Sequence, residues 1–101
     1  GGGIALSGSS DVTLDNNVIV ANQAAHEGSG LFLEWSTAYL RHNTIARNTG
    51  GDGSGVSVIL DSTIALTNTI LVSHTVGLSV APYHTHCTAT LESTLWATGS
   101  A

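Results

Sequence analysis

One phrase, an Asn with an apolar residue two places further on, returns along this chain at nearly constant intervals. It falls at Asn17, Asn43, Asn68 and, eroded, Ser93, in steps of 26, 25 and 25 residues. The apolar partners are Ile19, Ile45, Ile70 and Leu95. A leucine column runs just upstream through Leu14, Leu40, Leu66 and Leu91. Earlier still, each unit opens on a glycine (Gly3, Gly30, Gly55, Gly77) and a short alternating strand, "GIAL", "GLFL", "GVSV" and "GLSV". A unit of about 25 residues cannot bury its own apolar side chains, so a chain with this period must stack its units.

Within the first unit the pattern predicts a strand at 4–6, a turn at "SGSS", a strand at 12–14, a turn at Asn16 and Asn17, a strand at 18–20, and a longer Gly-rich turn. Alternation sends Ile4 and Leu6 to one side, and Val12 and Leu14 likewise. No segment keeps a helical apolar stripe for three turns. Stacking units about 4.8 Å apart pairs each strand with its copies above and below. The Leu and Ile columns then fill one core. The repeated Asn residues, Asn17, Asn43 and Asn68, are expected to form a stacked amide ladder at a sharp turn. Asn22 and Asn48 make a second ladder, continued by Ser73 or His74 and then Thr98. The expected fold is all-β, about four coils, with boundaries near 1–27, 28–52, 53–76 and 77–101.

The pattern "GGGI…NNVIVAN…GSGL…HNTIARN…GSGV…TNTI" resembles the right-handed parallel β-helix family, the pectate-lyase-like superfamily in its broad sense. The Gly-Gly-Ile and Asn-Thr-Ile phrases are similar to those of secreted bacterial β-helix proteins and polymorphic outer-membrane adhesins. The resemblance covers the whole chain. It implies a right-handed parallel β-helix and an extracellular or cell-surface location. It does not choose a function, because lyases, hydrolases, adhesins and phage tailspikes share the scaffold.

Composition narrows the partners. Lys and Arg together number two, Arg41 and Arg47, and the formal net charge is −5. Nucleic-acid binding needs a basic footprint, and there is none. No apolar run reaches the roughly 18 residues that would mark a membrane-spanning helix. Cys87 is the single cysteine, so it has no intrachain disulfide partner. The chain opens on "GGGIAL" without Met, which reads as a piece of a longer precursor. Neither end carries an amphipathic capping helix. Open ends call for a covering partner, either the remaining coils of a parent protein or a second copy stacked end to end.

Four constellations could carry chemistry. Glu27 in "HEGSGL" and Asp52 in "GDGSGV" fall in the same turn one unit apart. Two stacked carboxylates repel unless a cation lies between them. Ca²⁺ is the expected ion, completed by carbonyls, Ser29 and Ser54; a solvated turn with splayed carboxylates is the plainer reading. "YHTHC" at 83–87 offers His84, His86 and Cys87 as Zn or Cu ligands, in a turn longer than its equivalents. The column Asp15, Arg41, Thr67 and Glu92 holds a cross-strand charge pair. Asp11, Glu34 and Asp61 are acids at or just before second strands. The resemblance implies that lyases of this scaffold use a basic residue beside a calcium acid cluster, and that its hydrolases carry Asn-Thr-Asp, Asp-Asp, His-Gly and Arg-Ile-Lys phrases. This chain has neither set. Trp35 and an outward-pointing Tyr39 could stack on a sugar ring. No residue is assigned as catalytic, and no cofactor is required. The expected function is a structural or adhesive segment; the alternative is a polysaccharide lyase or glycoside hydrolase module whose working residues lie partly elsewhere.

Overall fold

The computed structural model describes residues 2–8, 11–26, 28–51, 54–74, 76–80 and 87–98, with the backbone alone for Ser54 and residues 95–98. The chain winds as successive coils. The first holds β1 (Ile4–Ser7), β2 (Val12–Asp15), β3 (Val18–Val20) and a short β4 (Gln23–Ala24). The second holds β5 (Leu31–Glu34), β6 (Thr37–Arg41), β7 (Thr44–Ala46) and β8 (Thr49–Gly50). The third holds β9 (Ser54–Ile59), β10 (Thr63–Thr67) and β11 (Ile70–His74). The fourth holds β12 (Val76–Val80), β13 (Thr88–Glu92) and β14 (Leu95–Thr98).

Equivalent strands pair in parallel and make three long sheets, β1-β5-β9-β12, β2-β6-β10-β13 and β3-β7-β11-β14. β4 and β8 add a two-stranded ladder. The three-strand coil expected from the alternation is what forms. At two of the corners the chain turns on single left-handed residues. Asn16, His42, Asn68 and Ser93 take φ of 59°, 57°, 49° and 49° at the corner between the second and third sheets. Ala21, Arg47 and Ser73 do the same at the next corner, with φ of 57°, 53° and 61°. Each such non-Gly residue costs roughly 1–2 kcal/mol locally, so contacts between coils must offset it.

The core is a set of stacked columns. Ile4, Leu31, Val56 and Leu78 align, as do Leu6, Leu33, Val58 and Val80. The leucine column of the sequence is intact in the second sheet, Leu14–Leu40–Leu66–Leu91. In the two middle coils Leu31, Leu33, Leu40, Val56, Val58 and Leu66 are fully buried. Each contributes roughly 1.5–3 kcal/mol by leaving water. In the end coils the equivalents Ile4, Leu6, Leu14, Leu78, Val80 and Leu91 are only partly buried.

The third-sheet column differs from the expected one. Ile19 aligns with Ile45, and Ile45 with Leu71 rather than Ile70. Ile70 faces out and pairs with Thr44, as the exposed Val18 does. In the backbone register Leu95 pairs with Ile70, not with Leu71.

The glycine column answers a packing demand. A Cβ on Gly30 would lie 2.8 Å from Asn48 Nδ2 and 3.0 Å from Ile45 Cγ2. One on Gly55 would lie 2.7 Å from the His74 ring. One on Gly3 would lie 2.8 Å from Asn22 Nδ2. Coils one to three therefore each need a glycine where the opening of the coil passes the side chain of that coil's own last corner.

Candidate functional site

The corners are where the polar chemistry is ordered. Asn43 is buried at the second corner of coil two. Its Oδ1 accepts the backbone N–H of Asn17 at 2.8 Å, and its Nδ2 donates to the carbonyl of Leu14 at 2.7 Å. At the third corner Asn48 Oδ1 accepts from Asn22 N–H at 2.9 Å and from Asn22 Nδ2 at 3.0 Å. Asn48 Nδ2 donates to the carbonyl of Ile19 at 3.0 Å. Buried backbone groups at sharp turns need such partners, since an orphan costs about 1–3 kcal/mol.

Asn68 is not in this ladder. The pairing of Thr44 with Ile70 puts Thr69, not Asn68, opposite Asn43. Asn68 holds the exposed left-handed position one residue earlier, in line with Asn16 and His42. Asn suits both places, a ladder carboxamide and a left-handed backbone, which is why the repeated phrase slips by one residue in the third coil. The ladder column is Asn17–Asn43–Thr69–Thr94, buried at Asn43 and Thr69. Thr94 Oγ1 still reaches back to the carbonyl of Leu66, at 3.2 Å.

One choice left open by the sequence is settled, and one ladder escaped it. His74, not Ser73, continues the Asn22–Asn48 ladder, fully buried, with Nε2 3.1 Å from Asn48 Nδ2. Ser73 sits on a left-handed bulge and is exposed. A third ladder occupies the first corner. Ser62 Oγ accepts the N–H of Ser36 at 3.1 Å and donates to the carbonyl of Ile59 at 2.7 Å. The step of 26 residues from Ser36 to Ser62 was its available signal.

Of the five candidate metal ligands only Cys87 is among the described residues. Glu27, Asp52, His84 and His86 lie outside them. Cys87 is half-buried and packs against the core. The pairing of Thr63 with Thr88 puts it in the Ser36–Ser62 column. Among the described residues no three His, Cys, Asp or Glu gather at one point. Glu34 pairs with Ser7 and Ile59 in the first sheet and accepts the Ser7 hydroxyl at 3.1 Å. Asp11 and Asp61 sit on separate left-handed turns. These three acids share no column.

The outer face of the second sheet carries Thr13, Tyr39, Ala65 and Thr90 in one row. Asp15, Arg41, Thr67 and Glu92 stand in another. Tyr39 is 43% exposed. Arg41 Nη2 meets Asp15 Oδ2 at 3.2 Å in solvent. Trp35 is also exposed, on the corner before β6, with its N–H donating to the carbonyl of Leu60. At the outer side of coil one a cavity of about 240 Å³ is lined by Gly3, Ile4, Asn17, Val18, Ile19 and Asn22.

A family model described as "Right handed beta helix region" matches residues 1–93 of this chain. The chain belongs to the right-handed β-helix family. The match runs from the first coil into the fourth coil of this β-helix. No curated protein and no solved structure matches the chain.

Proposed function

We propose that this β-helix is a non-catalytic structural or adhesive segment of a secreted or cell-surface protein. The observation that carries the reading is the second-sheet face. It is a parallel surface whose outward rows hold Thr13, Thr67 and Thr90, with Tyr39 exposed among them, Arg41 and Asp15 in a solvated pair, and Glu92 at the far end of their row. Hydroxyls at sheet spacing offer shallow, uncharged contact rather than proton transfer, which needs positioned groups with tuned pKa. Further β-helix coils are the partner for its ends.

The second reading, a polysaccharide lyase or glycoside hydrolase module, is favoured by Tyr39 alone, whose exposed ring could stack on a sugar. The experiment is incubation of the chain with polyuronates and with neutral polysaccharides, scoring both retention and bond cleavage. The structural reading expects no product, and at most weak retention that Tyr39→Ser removes. Cleavage that Arg41→Gln or Glu34→Gln abolishes would establish the enzyme reading instead.

A further inference from the structure

Among the described residues the ladder bonds that reach a neighbouring coil's backbone have one direction. Asn43 and Asn48 satisfy the backbone of coil one, Ser62 that of coil two, and Thr94 that of coil three. At these four positions a side chain of one coil serves the coil before it, whereas the Thr69 and Ser36 hydroxyls donate to carbonyls of their own coils, Thr67 and Glu34. Asn17 and Asn22 hold the same positions in coil one. Asn17 Nδ2 folds back to the carbonyl of Asp15, at a long 3.3 Å. Asn22 Nδ2 turns to Asn48 Oδ1, which already takes the Asn22 N–H. Among the described residues neither carboxamide oxygen accepts a hydrogen bond. Both residues line the cavity at this face, beside Gly3 and the partly buried Ile4.

We propose that this face binds the last coil of a second copy, head to tail, in the register the chain already uses between its own coils. The columns name the complementary groups. Leu91 stands in the column of Leu14, so its carbonyl in a copy is what Asn17 Nδ2 would take. Thr94 stands in the column of Asn17, so its N–H would donate to Asn17 Oδ1. His74 pairs with Thr98 and Leu71 with Trp96, so the Thr98 N–H and the Trp96 carbonyl are the groups for Asn22. The inward side chains Leu78, Val80, Ala89 and Leu91 of coil four are partly buried and continue the core columns of coil one. Such a contact is heterologous and does not close, so it yields open chains of copies. One column opposes it. Glu92 of the copy would stand beside Asp15, where Arg41 stands on the other side. Like charges in adjacent strands weaken pairing, and salt screens them.

This inference rests on the chain acting as a stacking segment, but its readout is association and not carbohydrate, so the two can fail separately. Sedimentation velocity of the 101-residue chain from about 10 µM to about 1 mM spans the range of weak, small interfaces. A concentration-dependent series of species is expected, shifted upward by added salt. Asn17→Ala with Asn22→Ala should raise the dissociation constant at least about tenfold. Circular dichroism should be unchanged, because Asn43 and Asn48 keep the Asn17 and Asn22 backbone N–H groups and only the part-buried Asn22 Nδ2 bond to Asn48 is lost. Glu92→Arg should tighten association, and Tyr39→Ser on the side face should leave it alone. A chain that stays monomeric throughout overturns the proposal, as does association of equal strength in the double variant. If that variant fails to fold, Glu92→Arg decides, and association that it does not strengthen overturns the proposal.

Discussion

Asn48 fixes the tautomer of His74. The Asn48 amide cannot flip, because its oxygen takes the Asn22 N–H and its nitrogen serves the Ile19 carbonyl. The remaining Asn48 hydrogen points at His74 Nε2, 3.1 Å away, so that nitrogen accepts and Nδ1 carries the proton. His74 Nδ1 is buried with no hydrogen-bond partner. The ring lies against Gly55, and neither Gly55 nor Asn48 carries charge.

Burial lowers the His74 pKa below its ordinary value. A proton on Nε2 would also set two donors against each other. The unfolded chain therefore binds a proton that the folded chain refuses. Stability is full above the unfolded His value of about 6.5 and falls as pH drops through it. Thermal melts at about pH 8 and about pH 5 should show this loss, and His74→Asn, which continues the ladder with a group that does not titrate, should reduce it. An equal acid loss in the variant would remove His74 as the cause.

The ladder register separates two asparagines that look alike in sequence. Asn43→Ala should cost about 1–3 kcal/mol, because it strips the Asn17 N–H and the Leu14 carbonyl of partners. Asn68→Gly should be near neutral, since glycine accepts the left-handed backbone and Asn68 is exposed. Denaturant unfolding of both variants checks this; equal losses would restore Asn68 to the ladder.

Gly30→Ala and Gly55→Ala test the packing demand at the opening of each coil. Both place a methyl within 3.0 Å of a corner side chain, and Gly30→Ala also within 2.8 Å of the Gly55 carbonyl. Overpacking of this kind costs about 1–3 kcal/mol. Gly8 has a left-handed φ of 63° but open space around it, so Gly8→Ala should cost only the backbone strain, about 1 kcal/mol. A smaller effect at Gly55 than at Gly8 would contradict the account.

Arg41 and Asp15 are both well exposed, at 56% and 42%. Arg41→Gln should shift stability by no more than about 0.5 kcal/mol, and less in high salt. A larger loss by calorimetry would mean that the outer column holds the coils together.

The coil repeat was readable because glycine and leucine each answer one demand. Only glycine passes the corner side chain, and only an inward apolar residue fills the middle of β2 or β6, so Gly30 and Leu40 cannot drift from their columns. Asn answers two demands at neighbouring positions, which is why Asn68 read as a ladder residue and Ile70 as core. Ser73 and His74 both stood near the next ladder position; the step of 26 from Asn48 favours His74, and the bulge that turns Ser73 outward decides it. The Ser36–Ser62 pair escaped because serine is common at any turn. The side-face chemistry stayed illegible for a plainer reason. Thr13, Tyr39 and Thr90 are outward on a repeating scaffold, and nothing in the period requires them.

The central claim is that side chains of each coil satisfy the backbone of the coil before it. Amide hydrogen exchange at Asn17 and Asn22 reads this directly, since their N–H groups donate to Asn43 and Asn48. In Asn43→Ala the Asn17 amide should exchange about tenfold faster or more, while the Asn22 amide keeps its rate. An Asn17 amide that exchanges equally in both proteins would contradict the claim.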